Sequence, residues 1–158
     1  MKLQVISVGH KLPAWAAAGF NEYSRRMPRE ARLQITQLKP ARREGDSAAQ
    51  IAQARTEEGN RILAAIPSGS VKIALDEGGK ALTTAQLARQ LHAWMGEGRD
   101  LSFVIGGADG LDAEFKRTAD LVLALSALTL PHALARVVLV EQLYRALSLI
   151  RNHPYHRE

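Results

Sequence analysis

The chain has 158 residues, a net charge of +5 and 46% hydrophobic residues, and it contains no cysteine. This length suits one domain with one core. The lack of cysteine excludes disulfides, thiolate metal sites and thiol nucleophiles, and is typical of a cytoplasmic protein. No apolar run is long enough to span a membrane, and the opening residues predict a strand rather than a signal peptide.

The positive charge is concentrated in the first part of the chain. Residues 1–70 contain 11 Lys and Arg against 6 Asp and Glu, whereas residues 71–158 contain 10 of each. The density is highest in residues 25–43, where Glu30 is the one acidic residue. The cations of this stretch are Arg25, Arg26, Arg29, Arg32, Lys39, Arg42 and Arg43. They form either an ordinary solvated surface or a contact with RNA or DNA phosphates.

Strand and helix patterns alternate along the whole chain. Apolar runs bounded by turn residues predict strands at residues 2–8, 33–38, 71–75, 101–105 and 121–125. Helices are predicted at residues 14–27, 47–66, 83–95, 112–117 and 131–150. Ser47, Thr83 and Asp112 are the expected N-terminal caps. The predicted fold is α/β, a single domain over residues 1–158 with a mainly parallel sheet and helices on both faces.

Two of these helices carry apolar residues that need packing partners. The first is expected to pack through Trp15, Ala18, Phe20 and Tyr23. The last is apolar most of the way round, at Leu134, Val137, Val138, Leu139, Val140, Leu143, Leu147, Leu149 and Ile150. A second copy of the chain in a two-fold dimer would cover the side that the sheet leaves free. The alternative is a helix sandwiched inside one chain.

Three segments at the C-terminal ends of strands predict a pocket, because ligands of open parallel sheets bind at that edge. They are residues 75–79, 106–110 and 126–130, and residues 76–80 are expected to form a loop. Residues 126–130 carry no charge, so we expect them to be packed under other parts of the chain and to offer backbone groups to a ligand. The glycine-rich segment 106–110 either lets the backbone approach that ligand or is a plain tight turn.

The pattern favours a flat, partly apolar ligand. Backbone groups of residues 126–130 suit the edge of an adenine, and Leu75, Leu128 and Leu130 suit its faces. No GxGxxG or Walker motif follows a predicted strand. The only histidines with a metal-ligand spacing, His153 and His156, have no carboxylate ligand beside them, so no metal site is predicted.

Polar residues stand at both ends of the last helix. His132 and Arg136 share one face at its start, where free N–H groups favour an anion. The alternative is that His132 caps the helix and Arg136 pairs with a carboxylate. The tail Arg151-Asn-His-Pro-Tyr-His-Arg-Glu158 has side chains that bind bases and phosphates, and the alternative is a frayed terminus.

Several motifs together resemble the RlmH family, bacterial 23S rRNA pseudouridine N3-methyltransferases of the SPOUT class. The resemblance covers the whole chain, from the opening Met-Lys-Leu-Gln-Val-Ile-Ser-Val-Gly onwards. The motifs are Gly106-Gly-Ala-Asp-Gly-Leu, Leu125-Ser-Ala-Leu-Thr-Leu-Pro-His132, Arg136-Val, Glu141-Gln-Leu-Tyr-Arg-Ala and Asn152-His-Pro-Tyr-His-Arg-Glu158.

This resemblance implies a fold, a methyl donor and a substrate. The C-terminal part, about residues 71–158, would form a deep trefoil knot, and two copies would form a homodimer through the last helix. S-adenosyl-L-methionine would bind, bent, in the knotted cleft, without a metal. The substrate would be a pseudouridine of helix 69 in the 23S rRNA, met on the assembled 70S ribosome.

The resemblance also implies site residues. The methyl donor would be held by Leu75, Gly106, Leu125, Ser126, Ala127, Leu128, Thr129 and Leu130. The tail would help to build the active site across the dimer through His153, Tyr155, His156 and Arg157. For the chemistry, our hypothesis is that Arg136 steadies the anion of the base and that His132 or His153 assists proton loss. Tyr155 would stack on the base or hydrogen-bond to it.

Two other functions remain open. One is a non-catalytic ribosome-binding or assembly module that keeps the basic surface and needs no methyl donor. The other is a SPOUT-like methyltransferase that acts on tRNA. The lack of a separate RNA-binding domain argues against the second, because so small a chain must obtain its recognition from an assembled partner.

Overall fold

The computed structural model describes residues 1–9 and 11–157, with side chains up to residue 155. In this part of the chain, five strands form one sheet in the order β2-β1-β4-β3-β5, and every pairing is parallel. The strands are β1 (Lys2–Val8), β2 (Arg32–Leu38), β3 (Val71–Ala81), β4 (Leu101–Ile105) and β5 (Leu121–Ala124). The helices are α1 (Ala14–Ser24), α2 (Ala48–Ala65), α3 (Thr84–Gly96), α4 (Ala113–Thr118) and α5 (His132–Ile150). The predicted α/β architecture is confirmed, and the trefoil knot stays a prediction.

The helix starts follow from local sequence. Ser47 accepts from the backbone of Gln50 and Thr83 from that of Gln86, and each glutamine side chain completes a capping box. Asp112 caps α4 by accepting from the backbone N–H of Phe115 at 3.3 Å. These three caps were predicted. By contrast, the first helix ends at residue 24 rather than 27, because the next residues form turns before a proline.

The sheet is covered on both faces, as predicted. Helices α1, α3 and α5 pack on one face, and α2 and α4 pack on the other. β1 divides its side chains accordingly, with Leu3 and Val5 in the first core and Ile6 and Val8 in the second. All five residues of β4 are buried, which is typical of a central parallel strand.

The last helix, α5, lies on the same face of the sheet as α1 and α3. It rests on the sheet and packs against α1 and α3, and none of its residues is exposed. Leu134, Val137 and Val138 are only half-buried in the single chain. The dimer contact through α5 therefore stays a prediction. Among the described residues, no helix has both the length and the apolar character to cross a membrane.

Two packing predictions for α1 are wrong. Trp15 has 58% of its surface exposed and Ala18 is also exposed, whereas the buried residues of α1 are Ala16 and Phe20. Residues four apart share a helix face, so Ala16 and Phe20 define the side that meets the sheet and α5. Trp15 is rotated about 100° from Ala16 and points away from the core.

The predicted loop at residues 76–80 is wrong, because β3 continues through Ala81. Leu123 of β5 is paired first with Leu75 and then with Lys80, so the strand contains a bulge between these two partners. Gly79 lies against β5 so closely that a Cβ there would be 2.7 Å from the carbonyl carbon of Val122. The bulge keeps residues 76 and 77 beside the pocket described below.

We expect Gly79→Ala to lower the free energy of unfolding by about 1–3 kcal/mol, because the new methyl group would force β3 and β5 apart. Urea unfolding measures this. The matched control is Gly78→Ala, whose Cβ would meet only the Asp76 carboxylate, at 3.1 Å. That carboxylate can rotate away. Equal losses of unfolding free energy in the two variants would show that β3 and β5 are not tightly packed at Gly79.

Candidate active site

A cavity of about 580 Å³ lies at the edge of the sheet where β4 and β5 end, beside the bulge of β3. Its volume is in the range of small-molecule sites. The three segments predicted to form a pocket all line it. Of the eight residues predicted to hold a methyl donor, Ala127 is absent from the lining, which includes Leu75, Gly106, Leu125, Ser126, Leu128, Thr129 and Leu130.

The glycine-rich segment forms a tight turn on the cavity wall. Gly110 donates to the carbonyl of Gly107 at 3.0 Å and has a φ of +80°, which favours glycine. A Cβ at Gly106 would lie 2.8 Å from the carbonyl carbon of Gly110. The absence of a side chain at Gly106 is therefore required by the turn itself.

The crossover segment, residues 126–130, lines the cavity with one side and meets solvent with the other. Leu128 N donates to Ser126 Oγ at 2.9 Å, and Thr129 Oγ1 donates to Glu77 Oε2 at 2.5 Å. Ala127, Leu128 and Thr129 are exposed, Leu128 to 75%. The prediction that other parts of the chain cover this segment is therefore wrong for the single chain.

Charged residues also surround the cavity. Asp76 and Glu77 line it, and Lys116 Nζ lies 3.5 Å from Asp76 Oδ1. Arg55 on α2 donates from Nε to the carbonyl of Asp109 at 2.6 Å, which fixes the glycine turn. Asp76 and Glu77 belong to segment 75–79, which the sequence predicted to form the pocket. Arg55 stands in mid-helix, where no local signal marks it.

His132 is the first residue of α5 and lines the cavity. A Cβ at Gly9 would lie 3.7 Å from its Cε1, and the carbonyls of Gly106 and Val8 lie beside the ring. Its Nε2 is buried and has no hydrogen-bond partner among the described residues. The predicted alternative, capping of the helix by His132, is not seen, because Pro131 occupies the N-cap without a side-chain hydrogen bond.

Arg136 is fully buried one turn further along α5 and does not line the cavity. Within the described part of the chain its three guanidinium nitrogens have no hydrogen-bond partner, so the predicted pairing with a carboxylate is not seen. Burial lowers the pKa of Arg136. The Ser7 hydroxyl, which the sequence analysis missed, is also buried without a partner. A buried polar group without a partner is costly, so such residues mark a site of function.

Burial, and then the charge of Arg136, lowers the pKa of His132 below its ordinary value of 6.5. Below about pH 6.5, His132 therefore binds a proton more readily in the unfolded chain than in the folded chain. We expect the free energy of unfolding to fall as the pH drops below this value, and to fall less in His132→Gln. NMR titration of the ring checks the pKa directly, and a midpoint above 6.5 would contradict this cause.

The tail residues lie at the other end of α5, about 28 Å along the helix from His132. His153 and Tyr155 are therefore not brought into the cavity of their own chain. The side chains of His156 and Arg157 lie outside the described residues. In the basic stretch, Arg25 and Arg26 both pair with Glu22, and Arg43 pairs with Asp46 and Asp109. Part of its charge is thus neutralised within the chain.

Comparison with known proteins identifies the family. The family model described as "Predicted SPOUT methyltransferase" matches residues 1–156. The ribosomal RNA large subunit methyltransferase H of Janthinobacterium sp. (strain Marseille) is 53% identical over 157 residues, with 99% of each chain covered. The protein of the same name from Nitrosospira multiformis is 55% identical with the same coverage. The chain belongs to the SPOUT methyltransferase family, and within it to the RlmH family that these relatives represent.

Solved structures support the fold. A putative methylase family protein from Neisseria gonorrhoeae matches with a TM-score of 0.54 and 15% identity, covering 90% of this chain and 81% of that chain. A probable methylase family protein from Haemophilus influenzae matches with a TM-score of 0.51 and 14% identity, covering 98% and 69%. At such low identity the likeness concerns the fold alone.

Proposed function

We propose that this chain is an S-adenosyl-L-methionine-dependent methyltransferase that methylates N3 of a pseudouridine in helix 69 of bacterial 23S rRNA, on the assembled 70S ribosome in the cytoplasm. The observation that carries the proposal is the cavity where the uncharged crossover segment meets the bulge of β3 and the end of β4, in a member of a methyltransferase family. The relatives named as large-subunit rRNA methyltransferases support the substrate class.

The residues around the cavity fit an adenosyl group. Leu75, Leu125 and Leu130 supply apolar surface for the faces of an adenine, and the backbone of the crossover segment supplies donors and acceptors for its edge. The wall also holds the carboxylates Asp76 and Glu77, whose charge favours a sulfonium cation. When bound, S-adenosylmethionine supplies an activated methyl group, so positioning of the two reactants is the main task of the protein.

His132 and Arg136 serve the proton chemistry in this proposal. N3 of pseudouridine carries a proton and becomes nucleophilic only when that proton leaves. Burial, and then the charge of Arg136, lowers the pKa of His132, and its Nε2 has no hydrogen-bond partner among the described residues. This nitrogen would accept the proton. Arg136 lies outside the cavity lining and has no partner in the described chain. Its positive charge would steady the anion left on the base through the protein interior, without direct contact.

A homodimer is part of the proposal. His153 and Tyr155 lie a full helix length from the cavity of their own chain. They can complete an active site, with His153 as the second candidate for assisting proton loss, only at the cavity of a second copy. The exposed Trp15 offers apolar surface for such a contact. Sedimentation equilibrium tests the dimer.

Two assays test the proposed function. Calorimetric titration with S-adenosylmethionine should show saturable binding to the wild-type chain, whereas a ribosome-binding module without catalysis would show none. Methyl transfer from labelled donor should occur on intact 70S ribosomes and be absent on isolated 23S rRNA and tRNA. Transfer to free tRNA would favour the other methyltransferase class, and a methyl group at another ribosomal position would overturn the proposed target.

A further inference from the structure

A cluster of aromatic and charged residues joins the C-terminal tail to the body of the chain. The ring centroid of Tyr155 lies 4.7 Å from that of Tyr144 on α5 and 6.4 Å from that of Tyr23 on α1. The Tyr155 hydroxyl donates to Glu141 Oε1 at 3.1 Å. The guanidinium carbon of Arg145 lies 4.8 Å from the same ring. We call these five residues the tail anchor.

The backbone before Tyr155 is also fixed. Asn152 has a φ of +55°, a left-handed conformation that ends α5 and turns the chain back. His153 N then donates to the carbonyl of Ser148 at 2.8 Å, and Tyr155 N donates to Nδ1 of His153 at 3.3 Å. The tail from residue 151 to 155 is therefore held by specific contacts, unlike a frayed terminus.

The tail anchor accounts for a motif that the cavity does not use. Glu141-Gln-Leu-Tyr-Arg-Ala lies in the middle of α5 and contributes Glu141, Tyr144 and Arg145. Glu141 accepts from Tyr155 and from Arg145, whose Nη2 lies 2.7 Å away. Both the ring and the hydroxyl of Tyr155 are thus engaged by its own chain. Burial and the neighbouring Glu141 raise the pKa of Tyr155, so the hydroxyl keeps its proton and remains a donor.

We infer that Tyr155 is a positioning residue that holds the tail for contact with the RNA, and that it does not itself stack on the target base. This inference rests on the proposed function, because it assigns the tail to the RNA side of that reaction. Tyr144 and Tyr23 act with it through the same contacts. His153, whose backbone N–H is bonded to Ser148, then meets the substrate from a fixed place, which reduces the entropy lost on binding.

The test is a double-mutant cycle on ribosome methylation by the full chain. Tyr144→Ala and Tyr155→Ala should each lower kcat/KM for ribosomes by about tenfold, as expected for loss of an aromatic contact. The double variant should be no worse than either single variant, because the two residues act as a unit. Affinity for S-adenosylmethionine should stay within about twofold. The matched control, Tyr144→Phe, keeps the aromatic ring and should retain the kcat/KM of the wild type.

Hydrogen exchange of the amides of residues 153 and 155 gives a readout that does not depend on catalysis. Tyr144→Ala should speed their exchange while the thermal midpoint stays near that of the wild type. Unchanged exchange would overturn the anchor. Additive losses of kcat/KM in the cycle, with a much larger loss for Tyr155→Ala, would also overturn the anchor. They would indicate that Tyr155 contacts the target base directly. If the wild type transfers no methyl group, the proposed function fails, and the exchange alone decides on the anchor.

Discussion

Replacing Arg136 by methionine should lower kcat for ribosome methylation by about 10²–10³-fold, the usual loss on removal of a group that stabilises developing charge. Affinity for S-adenosylmethionine should change little, because Arg136 does not line the cavity. The stability of the folded state should not decrease. Methionine keeps much of the volume and removes a fully buried guanidinium that has no partner in the described chain. We expect the free energy of unfolding to rise by about 1–3 kcal/mol.

Three measurements separate the possible roles of Arg136. Single-turnover kinetics give the chemical step, calorimetry gives donor affinity, and urea unfolding gives stability. Equal losses of turnover and donor affinity would reassign Arg136 to donor binding. A large loss of stability would show that the guanidinium has a hydrogen-bond partner in the folded protein. Arg136 would then stabilise the fold and have no role in catalysis. The pKa of His132 should also rise in Arg136→Met, because one cause of its lowering is removed.

Gly106→Ala should weaken donor binding by about 10–100-fold, the usual cost of forcing a methyl group into a packed site. Its Cβ would lie 2.8 Å from the carbonyl carbon of Gly110 and 2.9 Å from the nitrogen of Leu111, both of which are backbone atoms. The turn must therefore move, and it forms one wall of the cavity. The measurement is a calorimetric titration with S-adenosylmethionine.

The control for this substitution is Gly96→Ala, at the end of α3. A Cβ there would meet nothing within 4 Å, and the backbone is helical. Donor affinity should be unchanged and stability slightly higher, since alanine favours helix. If Gly106→Ala binds the donor as well as Gly96→Ala does, the glycine turn is not part of the donor site.

The elements that the sequence predicted well depend on neighbours along the chain. The apolar run 101–105 predicted a strand buried on both faces, and β4 has that environment. The caps of α2 and α3 lie within three residues of the bonds they make. β3 was harder to predict, because its second half is rich in glycine and charged residues. This half is held by pairing with β5, about 40 residues further along the chain. No local pattern carries that information.

The candidate site was predictable in position and less so in detail. The rule that ligands bind at the carboxyl edge of parallel strands placed three segments around one cavity. Burial of single side chains was not predictable. Apolar Trp15 and Leu128 are exposed, whereas charged Arg136 is buried. Arg55 reaches the site through tertiary packing, with no motif of its own.

A crystal structure of the chain with S-adenosylmethionine bound tests the central claim most directly. We expect the adenine edge to hydrogen-bond to the backbone of residues 126–130. We also expect the transferable methyl group to face His132, beside the glycine turn. A donor bound elsewhere on the chain, or no binding at saturating concentration while the cavity stays open, would contradict the proposal.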